Sequence, residues 1–412
     1  MTRWFKRVAV VAAWLGLGTM VLAQEGFPSP VGASRIPEPI GYVPDSPPPT
    51  NMVPGPVNPL MAPMGPPASL NLPAGHTSAF QLDHYPPEAA SYASVGYMAL
   101  MRQNLSNRPL VYPDDQNGAV DTGVTPLGIF PQLLNLKNVD PTFNSGVRAT
   151  WGYLFANEAF ELSGFYIPGG TGSQTVASQG RLTVPFTPDN AFPVGLEGNN
   201  NLWRQADLVR ASFTNSVASA EANYRRWNAG LNELELMVGV RYFYSQENAS
   251  LYTNDEYYIR NVFNQFDPLR AATYSVTTRT NHLGLQFGGE YCQPIPLEFL
   301  QNSVWVGWVA KSTIGINFIE GSWKMLRDDG YVGFERHQNT LTLGSVTELA
   351  ATADFHILER LRLRAGYTFF LGLGFAPAGS NFDMNFTTIG RGDMSTGGVY
   401  WHGPMAELQF LF

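Results

Sequence analysis

The chain has 412 residues, a formal net charge of −8 and one cysteine, Cys292. The acidic balance makes nucleic acid a poor partner, and a lone thiol supplies no internal disulfide framework, which excludes a small stapled scaffold. Mean hydropathy is −0.11, and no apolar run after residue 23 approaches helix length, which excludes a helical membrane protein.

The first residues carry Arg3, Lys6 and Arg7, run through the apolar VAVVAAWLGLGTMVLA and reach a small-x-small end at Val21-x-Ala23. A basic start, an apolar middle and small residues at the end predict a secretory signal peptide over 1–23. The apolar stretch is shorter than the roughly 20 residues that a spanning helix needs. Cleavage after Ala23 removes those three cations and takes the formal charge to −11. Residues 24–90 then hold 17 of the 31 prolines, with PDSPPPT and MAPMGPP among them. Such a segment buries no core and is expected to be an extended, disordered periplasmic spacer of polyproline character. Contact with cell-wall components through it is left open.

From residue 91 to 412 the pattern changes to period two. VRATWGYLF sets Val147, Ala149, Trp151, Tyr153 and Phe155 against Arg148, Thr150 and Gly152. ELELMVGVRYFY sets Leu234, Leu236, Val238, Val240 and Tyr242 against Glu233, Glu235, Gly239 and Arg241. The same alternation runs through Val304–Glu320, Leu341–Ile357, Leu361–Phe375 and Tyr400–Phe412, with weaker versions at 92–102, 158–167, 208–225 and 278–291. Each is a strand with one greasy face and one polar or small face. Most meet the roughly 9–11 residues that cross a bilayer when tilted.

Alternation alone fits a soluble sandwich as well as a membrane barrel, and the connections discriminate. Gaps alternate in length: about 43 residues before Gly146 against about 2 at Ala156-Asn157, then about 40 before Asp207 against about 7 over Arg226–Asn232. Long and short connections segregate to opposite ends, the outer-membrane arrangement. The predicted fold is all-β: a transmembrane antiparallel up-and-down β-barrel of about ten strands, with a range of 8–12.

Charge sets the faces. An Arg on the lipid side near the midplane costs roughly 2–4 kcal/mol. Arg148, Glu233, Glu235, Arg241, Glu290, Lys311, Glu348, Asp354, Arg362 and Arg364 are therefore expected to face the lumen. Two readings of these mixed charges stand: an ion-pair network filling a narrow barrel, or the lining of a small selective pore. The ending AELQFLF places Leu408, Phe410 and Phe412 on one face. It is expected to close the ring against the strand near Tyr97–Arg102 and to serve as the signal read by the barrel-assembly machinery.

These blocks, in order, SGVRATWGYLF, FELSGFYIPG, SVASAEANYRR, LELMVGVRYFYSQENASLY, RTNHLGLQFGGEY and RLRLRAGYTFF, resemble the beta-barrel porin-7 family of planctomycete outer membranes. The resemblance covers roughly residues 90–412 and implies an outer-membrane barrel with porin activity, surrounded by outer-membrane lipids. It supplies no catalytic residue.

No G-x-S-x-G, H-E-x-x-H, Walker A or C-x-x-C pattern occurs, so no enzyme, metal or cofactor is expected. His282 and His356 read as lumenal hydrogen-bonding groups beside Glu290 and Asp354. Arg391-Gly392-Asp393 reads as a chance tripeptide in an exposed loop. The expected function is a porin-like passive conduit for small hydrophilic solutes or ions. The alternative is a non-conducting barrel that displays long extracellular loops for adhesion or envelope architecture.

Overall fold

A computed structural model describes residues 90–103, 106–113, 132–139, 142–155, 158–186, 203, 206–226, 234–254, 271–295, 304–328, 332–358, 360–385 and 388–412. The signal peptide and all but Ala90 of the proline-rich segment lie outside the described residues, as do Glu233 and Trp227.

Ten long strands form a closed antiparallel ring: β1 (Ala90–Arg102), β4 (Asn144–Phe155), β5 (Glu158–Thr183), β6 (Ala206–Arg226), β7 (Leu234–Asn254), β8 (Ala271–Pro294), β9 (Val304–Arg327), β10 (Phe334–Leu358), β11 (Leu361–Phe375) and β12 (Gly397–Leu411). Two short strands, β2 (Pro109–Pro113) and β3 (Leu134–Asn135), sit in the first long connection, where β2 pairs with the top of β5. Each long strand pairs with the next, and β12 returns to β1, so the ring has no open seam. Closure satisfies backbone amides that lipid cannot hydrogen-bond.

The seam differs in register from expectation. AELQFLF pairs with Ser91–Tyr97 rather than with Tyr97–Arg102: Leu411 lies opposite Tyr92 and Ala406 opposite Tyr97. Antiparallel pairing places the chain end at the start of β1, where Ser91 and Phe412 exchange two backbone hydrogen bonds of 2.8 Å.

Connections 156–157, 227–233, 295–303 and 359–360 lie at the end that holds the chain terminus; 103–143, 184–205, 255–270, 328–333 and 376–396 lie at the other. Two of the expected long gaps shrink because β5 and β10 run beyond their alternating stretches. The reason is a reversal of polarity along single strands. On β9, Trp308, Ile314, Ile316 and Phe318 are exposed while Lys311, Thr313 and Asn317 are buried. Past Phe318 the pattern inverts: Ile319, Trp323 and Met325 are buried, and Glu320 is exposed. The lower part of the wall is greasy outside and polar inside, and the upper part is greasy inside and polar outside. A search for one continuous apolar face stops at the reversal.

Candidate functional site

The interior of the barrel is the candidate site, and its contents form layers. At the long-loop mouth, a hydrophobic cluster joins Leu110, Val111, Leu134 and Leu136 of the first connection to Phe382, Met384, Ile389 and Met394 of loop 376–396. The wall holds that loop by its backbone. The Tyr274 hydroxyl donates to the Asp383 carbonyl at 2.7 Å, and Trp323 Nε1 donates to the Asn381 carbonyl at 2.9 Å. The Arg108 and Arg336 guanidiniums donate to the carbonyls of Phe382 and Ile389. Glu247 on β7 ties two pieces together: one carboxylate oxygen pairs with Arg102 at 2.7 Å, and the other accepts the Ala378 amide at 2.9 Å.

Below the mouth, aromatic rings from opposite arcs of the wall meet. Phe243 (β7) lies 5.4 Å from Trp401 (β12) and 6.0 Å from Phe370 (β11), and Phe165 (β5) lies 5.3 Å from Phe370. Ring spacings in this range contribute about 0.5–1.5 kcal/mol per pair beyond burial. Because β7 and β12 stand five places apart in a ring of ten, the Phe243–Trp401 contact spans the lumen. Trp401 Nε1 donates to Asn215 Oδ1 at 3.0 Å, so this wide indole is buried with its polar atom satisfied.

Charges fill the level beneath. Arg241, 0 % exposed, stacks its guanidinium 5.4 Å from both the Phe243 and Phe370 rings. It forms ion pairs with Glu221 at 3.2 Å and Glu348 at 3.0 Å. Arg148 reaches Glu407 at 3.1 Å and Glu348 at 3.5 Å, and Lys311 reaches Glu221 at 3.1 Å. Nearer the terminus-bearing end, Arg225 engages three carboxylates at once: Glu161 at 2.5 Å, Glu235 and Glu290. Arg364 bridges Asp354 at 2.7 Å and Glu290 at 2.8 Å. The Tyr92 hydroxyl donates to Glu161 at 2.6 Å, its ring lying over Gly152 where any Cβ would collide with it. A cluster of Tyr92, Leu154, Ala159, Cys292, Trp305 and Leu411 closes the layer from below.

Nine of the ten residues expected to line the lumen are among the described residues, and eight of them fall into two ion-pair groups: Arg148, Arg241, Lys311 and Glu348 with Glu221 and Glu407, and Glu235, Glu290, Asp354 and Arg364 around Arg225 and Glu161. Arg362 is buried beside them, opposite His356 and Gln409 in the ladders. Arg225, the hub, was missed. The phase of SVASAEANYRR carries it, because Arg225 shares a face with Glu221 and Asn223. The two interior histidines are not neighbours: β9 separates their strands, and His282 aligns with Asn317 and Thr342, far along β10 from His356. His282 Nδ1 meets Asn317 Oδ1 at 2.7 Å, a structural contact. Arg391, Gly392 and Asp393 are exposed between the buried Ile389 and Met394.

The polar cavity left among Arg148, Glu161, Arg225, Lys311, Glu348 and Arg364 is about 40 Å³. That space suits a water or two. Charges buried this way add little net stability, because desolvation offsets their attraction, but removing one partner leaves a stranded ion.

Outside, Val147, Trp151, Leu236, Val238, Leu285 and Phe287 belong to a band of exposed apolar side chains that encircles the lower wall. Phe155, Phe355 and Phe410 lie at its terminus-side edge and Phe318 toward the other. Neighbouring positions such as Glu235 and Arg241 are buried.

No family model and no curated relative matches the sequence. Among solved structures, the chain is similar to the outer-membrane protease OmpT from Escherichia coli at 11 % identity, with 79 % of this chain and 97 % of that chain covered and a TM-score of 0.40. It is similar to the toluene transporter TodX of P. putida at 10 % identity, covering 80 % and 91 %, with a TM-score of 0.30. The translocator domain of the autotransporter NalP from Neisseria meningitidis matches at 9 % identity over 80 % and 90 %, with a TM-score of 0.32.

Proposed function

We propose that this chain is an outer-membrane barrel that works closed, a non-conducting scaffold that presents its protruding wall and mouth loops at the cell surface. The observation that carries the reading is the cross-lumen contact of side chains at successive levels, from Phe243 against Trp401 to Arg241 against Glu348. The cavity of about 40 Å³ between the charges supports a lumen filled by side chains rather than an open channel for a hydrated solute. The exposed apolar band supports acyl chains as its surroundings, because water would penalise so continuous a greasy belt. The alternating Leu408, Phe410 and Phe412 on the closing strand support recognition by the barrel-assembly machinery. Contact of residues 24–90 with the cell wall belongs to the same proposal. The reading involves no catalytic step.

A second reading, the porin-like passive conduit for small hydrophilic solutes or ions, draws on the two-sign charge lining of the lower lumen. Planar-bilayer recording of the purified full chain separates the two. The closed reading expects current at the bare-lipid baseline; discrete conductance steps, abolished by boiling, would overturn it and favour the conduit.

A further inference from the structure

The apolar band stops short of the strand ends, and the wall above it is chemically unlike the rest of the protein. On β8 the last exposed leucine is Leu283, and the strand continues to Ala271. At about 3.3 Å per residue and a tilt near 40°, this raises the wall by about 30 Å. Phospholipid headgroups occupy only about 5–8 Å of each leaflet, so most of that height stands in whatever layer lies outside them.

Across β5–β8 this upper outer face is a ladder of small hydrogen-bonding side chains. Thr171 and Thr214 share a hydrogen bond of 2.7 Å, as do Ser212 and Ser250 at 2.6 Å and Asn248 and Thr277 at 2.7 Å. Among the described residues facing outward there, the charged side chains are Arg210 and Arg279, and no carboxylate occurs. That absence stands out in a chain with 33 acidic residues against 25 basic ones. Arg210 donates to Thr175 Oγ1 at 3.3 Å and Arg279 to Gln246 Oε1 at 3.2 Å, which braces both guanidiniums against the wall. The face ends at β9, where Glu320 approaches Arg279 at 3.6 Å and the charges become mixed.

We propose that this face docks the phosphorylated saccharide headgroup of an outer-leaflet glycolipid. The occupant follows from continuity and charge. The face rises from the band already assigned to acyl chains, so a lipid seated there presents its headgroup to it. Arg210, which forms no ion pair with a carboxylate among the described residues, matches phosphate; Arg279, paired with Glu320 at 3.6 Å, borders the same face, and a flat array of hydroxyls and amides matches sugar hydroxyls. The inference rests on the membrane reading above.

The test inserts the full chain into phosphatidylethanolamine/phosphatidylglycerol vesicles with or without a deep-rough, phosphorylated lipopolysaccharide. The chain is then extracted in mild detergent, and the sugar and phosphate retained per barrel are counted. Charge-assisted contacts of ordinary strength make enrichment over the bulk lipid ratio about tenfold. The Arg210→Ala/Arg279→Ala double variant should fall to the bulk ratio, and Lys324→Ala, on the mixed-charge face, should keep the parental one. Bulk-ratio retention by the parent chain, or unchanged retention by the double variant, overturns the proposal. Equal retention of the deacylated, soluble glycan overturns the glycolipid as the source. Mobility with and without boiling is read first: a chain that never becomes heat-modifiable in vesicles refutes the membrane reading itself, whereas an inserted barrel without enrichment refutes only this inference.

Discussion

Arg225→Met is the perturbation that probes the interior most directly. The guanidinium serves Glu161, Glu235 and Glu290 in a setting where it and its partners are each under a tenth exposed. Without it, Glu290 keeps Arg364 and Glu161 keeps the Tyr92 hydroxyl, while Glu235 loses its guanidinium. Removing one partner of a single buried pair costs about 3–5 kcal/mol. Since this substitution strands Glu235 and leaves Glu161 with a hydroxyl donor but no ion pair, the loss belongs at the upper end, about 5 kcal/mol, against total stabilities of about 5–15 kcal/mol. Urea unfolding of the vesicle-inserted barrel, followed by tryptophan emission, measures it. The triple variant Arg225→Met/Glu161→Gln/Glu235→Leu removes the stranded charges together and should return most of the loss, because buried ion pairs are replaceable by neutral groups of like volume. If Arg225→Met alone unfolds within about 1 kcal/mol of the parent, as an exposed pair would, the network is wet and the closed-lumen argument fails.

Three further outcomes follow from the same geometry. Leu285→Arg on the apolar band should cost about 2–4 kcal/mol in vesicles, whereas Ser275→Arg, higher on the same strand, should change stability by less than about 0.5 kcal/mol; equal costs in urea titrations would erase the boundary drawn between the two zones. Glu247→Ala strips Arg102 of its carboxylate and frees the Ala378 amide, so limited proteolysis should begin to cut within loop 376–396 while the barrel stays heat-modifiable; an uncut loop contradicts that anchoring role. Deleting Phe412 removes both backbone bonds to Ser91, and the yield of assembled barrel in the outer membrane should fall several-fold relative to the parent, with unchanged yield refuting the terminal residue's part in closure.

Much of this architecture was legible from the residues, because lipid enforces a strict rule: a strand with Arg241 on one side and Val240 on the other admits one orientation. The ring of ten antiparallel strands follows from it, as does the burial of Arg241 and Lys311; the alternation of long and short connections does not hold throughout, since 328–333 is shorter than 227–233 and 295–303 at the opposite end. The upper wall was not legible, since past Phe318 and Leu283 the apolar side turns inward and the pattern ceases to look like a membrane strand. Phe370 shares its phase in the sequence with Arg362, Arg364 and Thr368, and only the fold reveals that it meets Phe243 across the lumen. Arg225 was hidden for a different reason. Its worth lies in three partners from three other strands, and no spacing along one chain encodes such a meeting.

The reversal along β5–β9 also bears on how tightly the pairing is specified. A slip of one residue between neighbours would carry Arg241 into oil and, a few rungs higher on the same ribbon, turn Leu251 out to water. Two penalties of opposite character thus guard a single alignment, each covering a stretch the other does not reach. Such a wall has no cheap misaligned state, and its shape is checked from both solvents at once.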